Sequence, residues 1–170
     1  MKKNWIIIVF ILSFTLSLLF SFITNIISIN FGILAIIITI IMVICLGILF
    51  DVIGASSLTS KESTFHAMSS KKIKGAKEAI VLIKNNDKVA SVCNDIIGDI
   101  CGIISGGLGA VLAINISNKF NLNITFTTMI VSALVSALTV GGKAIFKKIA
   151  IKYADQVLFK ISKIICFFKK

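Results

Sequence analysis

The chain alternates long apolar runs with lysine-rich polar stretches. Trp5 to Ile23 is an uncharged apolar run behind Lys2 and Lys3. At about 1.5 Å per residue it can cross a bilayer as one helix. Phe31 to Phe50 is a second uncharged run and includes Ile36-Ile37-Ile38-Thr39-Ile40-Ile41. Its β-branched residues suit a membrane helix, because lipid forces the backbone to satisfy its own hydrogen bonds. The uncharged link Thr24 to Asn30 predicts a hairpin between these two spans. Val89 to Ile114 and Leu122 to Val140 predict a third and a fourth span. The link between them, Asn115 to Asn121, carries a single lysine, Lys119.

The polar stretches have their own periodicity. In Asp51 to Lys88, Ile73, Ala76, Ile80 and Ile83 recur at helical spacing, opposite Lys74, Lys77, Glu78 and Lys84. That pattern predicts an amphipathic helix lying on the membrane or on the bundle, ended by Asn85-Asn86-Asp87. Beyond Gly141-Gly142, the residues Ile149, Tyr153, Val157, Ile161, Ile164 and Phe168 form a stripe in a lysine-rich tail. This predicts a basic interfacial helix against an anionic leaflet, with docking on a protein partner as the alternative. The fold class expected is an all-α integral membrane protein with about four transmembrane helices. A cytoplasmic amphipathic hairpin and a basic C-terminal interfacial helix complete it. Residues 1–30 form an N-terminal span and turn, 31–142 a transmembrane core with the hairpin at 51–88, and 143–170 the tail.

Charge orients this arrangement. All 18 basic residues are lysine, and the net charge is +11. They crowd the N-terminus, the 51–88 segment and the tail, so the positive-inside rule places all three in the cytoplasm. Both termini on one side require an even number of spans, and four are found. A multi-pass protein of the plasma membrane is expected. The lysines sit beside apolar spans without interleaved aromatics, so they predict bilayer contact and no nucleic acid. The first run also fits the apolar core of a signal peptide. Its length, and the lack of a small-residue cleavage site after it, favour a retained helix. Cys45, Cys93, Cys101 and Cys166 show no C-x-x-C pairing and predict buried free thiols.

Asp95 and Asp99 are the strongest candidates for chemistry. Four residues apart, they share one face of a helix, roughly 8 to 14 Å inside the third span. A carboxylate in lipid costs at least about 2.5 kcal/mol, and two on one face also repel unless a cation, a proton or a donor lies between them. The pair predicts an ion site facing the bundle interior. The bland alternative is neutralisation by a lysine at the cytoplasmic end, or protonation and bonding to neighbouring helices. Asn94 extends the polar patch, and such oxygens suit a hard cation such as magnesium or calcium. Gly54-Ala55-Ser56-Ser57, after the second span, would either break the helix and offer oxygens or form an ordinary loop entrance. Thr139 belongs to a hydroxyl face on the fourth span. Gly98, Gly102 and Gly106 form a small-residue stripe that permits close helix approach. His66, the only histidine, has no nucleophile or acid set around it, so no enzyme is expected.

Three stretches, in order, resemble the transmembrane domain of the CorB/CorC/cyclin-M family of magnesium transport proteins. Phe50-Asp51-Val52-Ile53-Gly54-Ala55-Ser56-Ser57-Leu58-Thr59-Ser60 is similar to the family's "SETALTS" helix break. Gly75-Ala76-Lys77-Glu78-Ala79, with Leu82 and Asn85-Asn86-Asp87-Lys88, resembles its basic hairpin. Cys93-Asn94-Asp95-Ile96-Ile97-Gly98-Asp99-Ile100 resembles its "GNxxxN" helix entry. Leu138-Thr139-Val140-Gly141-Gly142-Lys143 is a fainter match to "GExxPK". The resemblance covers roughly residues 31–150 and implies a dimeric three-helix core, to which the first span is extra. It also implies transport of a divalent cation, Mg2+ or another hard ion, with no covalent cofactor. Asp95 and Asp99 would be the principal ligands, and Asn94, Ser56, Ser57 and Thr139 auxiliary oxygens. The family's glutamates have no counterpart near Ser56 or at Thr139, and no CBS-domain pair follows the core. A relocated site and a lost one are both open. The rival function is a non-transporting membrane scaffold or regulatory subunit built on the same core.

Overall fold

A computed structural model describes residues 3–30 and 32–168. Lys2, Phe31, Lys169 and Lys170, used above to bound spans and count charges, lie outside the described residues. Every regular element among the described residues is helical: α1 (Lys3–Asn30), α2 (Ile33–Thr59), α3 (Glu62–Ser70), α4 (Ala76–Lys84) and α5 (Asn86–Ala90) come first. A π-helix (Ser91–Gly98) then leads into α6 (Asp99–Phe120), α7 (Ile124–Lys152) and α8 (Ala154–Phe168). Four helical stretches are long and apolar enough to cross a membrane: Trp5–Ile26, Ile33–Thr59, Asn86–Phe120 and Ile124–Lys152.

The helices outrun the apolar runs that announced them. Thr24 to Asn30 is helical, so the first turn is shorter than the uncharged link suggested. The linker expected at Asn115 to Asn121 is mostly the last turn of α6, which ends at Asn121 with φ +52°. Gly141-Gly142 does not end the fourth span, since α7 runs through it to Lys152. The tail helix is therefore α8 alone.

Contacts divide the chain into two compact units. The first comprises Met1–Ile48 and Ile96–Gly142. Its centre is α6, where Ile100, Ile104, Leu108 and Leu112 are buried beside Cys101, Ser105, Gly109 and Ala113. These rows repeat every four residues, so one broad side of the helix is covered. Ile36, Ile40, Val43 and Ile44 of α2 and Val135 of α7 complete the core. Close crossings use glycine: a Cβ on Gly47 would lie 2.9 Å from the Cβ of Cys101, and one on Gly109 3.1 Å from Val135 Cγ2. Helix α1 packs on α6, yet Phe10, Phe14, Leu18, Leu19 and Phe22 stay exposed. A surface this apolar suits lipid rather than water. Cys93 and Cys101 are buried free thiols as expected, whereas Cys45 is exposed on the apolar α2.

The second unit comprises Leu49–Asp95 and Lys143–Lys170. Helix α4 packs on both α3 and α8, around Phe65, Ala79, Ile83 and Leu158, with Met68, Ile80, Leu82 and Phe159 at the margin. The amphipathic face expected in this segment thus meets protein. Ala76, Ala79 and Ile83 are its buried residues, while Ile73 sits exposed before the helix. Gly75, at φ +91°, lies against Lys163 of α8: a Cβ there would be 3.1 Å from its backbone nitrogen. In the tail, the stripe expected against a leaflet and the face packed on protein are different. The face of α8 that packs is Ala154, Leu158 and Ser162, whereas Tyr153, Ile164 and Phe168 of the expected stripe are exposed.

Candidate functional site

The site is built where α2 meets the π-helix, inside the second unit. Gly54-Ala55-Ser56-Ser57 is neither a break nor a loop: α2 continues through it to Thr59. Small residues pass as helix here because their hydroxyls return to the backbone. Ser57 Oγ donates to the Gly54 carbonyl at 2.8 Å, and Thr59 Oγ1 to the Ala55 carbonyl at 2.5 Å. Gly54, Ala55, Ser56 and Ser57 are all buried.

Asn94 sits against this segment. An ideal Cβ on Gly54 would overlap the Asn94 carboxamide, whose Oδ1, Cγ and Nδ2 are the nearest atoms. The absent side chain at position 54 is what admits the amide. Asn94 Oδ1 is itself buried and accepts no hydrogen bond, and Ser56 Oγ and Ser60 Oγ are likewise buried without a partner. Leaving such a group unpaired costs about 1–3 kcal/mol, so each orphan oxygen marks a place where a further donor or a cation would be stabilising. The two groups of oxygens lie on different sides of α2. Ser56 follows Gly54 by two residues and so points away from Asn94, sharing a face with Ser60. Ser57 borders the Gly54 side.

Asn94 is presented by an unusual backbone. Ser91–Gly98 is a π-helix of eight residues. The π form is rare, and it recurs at functional positions because it re-aims side chains within a continuing helix. Asp95 belongs to this segment, and Asp99 begins α6. Both aspartates, expected to face the bundle interior, are exposed on the surface of the single chain. Thr139 lies on α7 in the other unit and donates its hydroxyl to the Val135 carbonyl at 2.8 Å. Among the described residues, no three His, Cys, Asp or Glu side chains converge as a metal cluster. His66 Nε2 meets Glu62 Oε1 at 3.0 Å on the exposed side of α3.

One residue was missed by sequence reasoning. Asp51 is only 7% exposed. It was read as the first polar residue after a span, but it lies inside α2. The signal available was its spacing: Asp51, Gly54 and Leu58 continue the helical period past Phe50. No protein-family model, curated protein or solved structure matches the chain.

Proposed function

We propose that the protein moves a hard divalent cation, magnesium in the first instance, across the membrane. The observation that carries this reading is the buried, unpartnered Asn94 Oδ1 seated on Gly54. A neutral oxygen in that position is a poor thing to bury and a good thing to offer a hard ion. Asp95 follows it directly, and Asp99 comes one turn later on an open face, where carboxylates would draw a cation toward the site. Magnesium sheds water reluctantly and keeps part of its shell in a site with few protein ligands, so one or two protein oxygens suffice. The contact also joins two of the three stretches that resemble the CorB/CorC/cyclin-M core, which supports the likeness. Ser57 borders the site. Ser56, on the other side of α2 from Asn94, drops to an outer role.

In this reading the chain is a homodimer in the plasma membrane, with both termini and the lysine-rich segments in the cytoplasm. The test is the thermal midpoint of purified protein in detergent. Millimolar MgCl2 should raise it, and a matched increase in NaCl should not. Asn94→Ala should remove most of the gain. Uptake of Mg2+ into proteoliposomes should fail in the same variant.

The second reading is a non-transporting scaffold. It is favoured by Gly102 and Gly106, over which a Cβ would meet nothing within 4 Å. A bare small-residue face of this kind suits packing against another helix. A wild type unmoved by magnesium, with Asp99→Asn as stable as wild type or more so, would decide for the scaffold.

A further inference from the structure

Asp51 is the one carboxylate among the described residues that is buried. The ion pairs of Glu62, with His66 and with Lys84, do not involve it. Its place on α2 is specific. Asp51 precedes Gly54 by three residues on an unbroken helix, so the two share a face. That is the face on which the Asn94 carboxamide rests. Along it, Asp51 and Gly54 are buried while Leu58, one turn further, is 50% exposed. The covered part of the crossing is therefore the part that holds Asp51.

A buried carboxylate and a buried, unpartnered amide oxygen on one face repel each other as two acceptors. They are compatible when something positive lies between them. A proton satisfies this by letting Asp51 donate to Asn94. A hard cation satisfies it by taking both as ligands, and carboxylate plus amide oxygen is the donor chemistry such ions prefer. Asp95 and Asp99, by contrast, are exposed in the single chain.

We infer that Asp51 is the charged ligand of the cation site, holding the ion together with Asn94 Oδ1, while Asp95 and Asp99 serve its approach. The inference rests on the cation reading above and deepens it. It predicts a division of labour: the buried carboxylate sets affinity, and the exposed pair sets how binding depends on salt.

The experiment compares Asp51→Asn, Asp99→Asn and wild type by thermal midpoint with and without MgCl2. At 100 times Kd the wild type should gain roughly 5–10 °C. Asp51→Asn should lose that gain entirely while melting at or above wild type without the ion, because a neutral isostere replaces a carboxylate on a buried side chain. Asp99→Asn should keep most of the gain in low salt at saturating ion. If Asp51→Asn keeps the full gain and Asp99→Asn loses it, the inference fails and the cation reading stands. If the wild type gains nothing, both fail. A second measurement uses the unmodified protein, in case Asp51→Asn does not fold. Fe2+ with ascorbate, replacing Mg2+, cuts the backbone beside its binding site. Cuts near residues 50–54 and 93–95, suppressed by excess MgCl2, support Asp51. Cuts confined to 95–103, or no cuts, overturn it.

Discussion

Asp155, at the start of α8, accepts a hydrogen bond from the backbone N–H of Lys61 at 2.9 Å and another from Thr64 Oγ1 at 3.1 Å. The helix it serves, α3, has no side-chain cap of its own at Lys61. A carboxylate from the far end of the chain thus accepts the N-cap N–H, as the third-position Glu of a local capping box does elsewhere, and its charge complements the helix N-terminus. Asp155→Ala should cost about 1 kcal/mol. The loss should appear as faster hydrogen exchange in α3, with the apolar spans unaffected. Unchanged exchange across Glu62–Ser70 would rule the cap out.

Two glycines on α2 should respond differently to alanine. At Gly47 the new methyl meets the Cβ of Cys101 at 2.9 Å, an atom that moves only with its helix. Gly47→Ala should destabilise by about 1–3 kcal/mol. At Gly54 the methyl meets the Asn94 carboxamide, the free end of a side chain that can turn away. Gly54→Ala should cost little stability but abolish the magnesium-dependent rise in thermal midpoint. Equal stability losses at both positions would contradict the Asn94 placement.

Leu158 is fully buried among Phe65, Ala79 and Ile83. Leu158→Ala should cost about 2–5 kcal/mol and release α8 to proteolysis ahead of the spans. Phe167→Ala, at an exposed position, is the control and should do neither.

Topology is checked by reporter fusions. Those placed after Ser60 and after Lys170 should read cytoplasmic, and one near Lys119, in the last turn of α6, should read external. A cytoplasmic Lys119 would break the four-span arrangement.

The exposed apolar side of α8 tests lipid contact. A nitroxide at Ile164 in vesicles rich in anionic lipid should relax with oxygen, as a site in the headgroup–acyl boundary does. Relaxation by a water-soluble nickel chelate instead would leave that face in water.

The spans were legible because nothing but a membrane or a large core accepts runs such as Trp5–Ile23. Their ends were not, because hydropathy stops at the first polar residue while the helix need not. Asp51, Ser57 and Thr59 are polar and helical, the two hydroxyls by bonding back along α2. The packing face of α8 was missed for a related reason. It consists of Ala154, Leu158 and Ser162, of which only Leu158 is a large apolar residue, so counting large apolar residues selects the neighbouring face. The π-helix at Ser91–Gly98 has no periodicity of its own, and only contact with another helix decides it. The prediction that Asn94 belongs with the end of α2 rested on motif order. Its packing on Gly54 was not readable, since it depends on a crossing between segments about forty residues apart.

The cap on α3 sets a timetable for the growing chain. Lys61 leaves the ribosome ninety-four residues before Asp155, an interval of roughly 5–20 s at ordinary elongation rates. For that time α3 and α4 wait at the bilayer with Phe65, Ala79 and Ile83 uncovered. The last two spans must be inserted before α8 arrives to close the cluster. Any agent that recognises nascent apolar surface, whether chaperone or protease, has its opportunity in that window. A synonymous change that slows translation between codons 90 and 150 should therefore lower yield without altering a single residue.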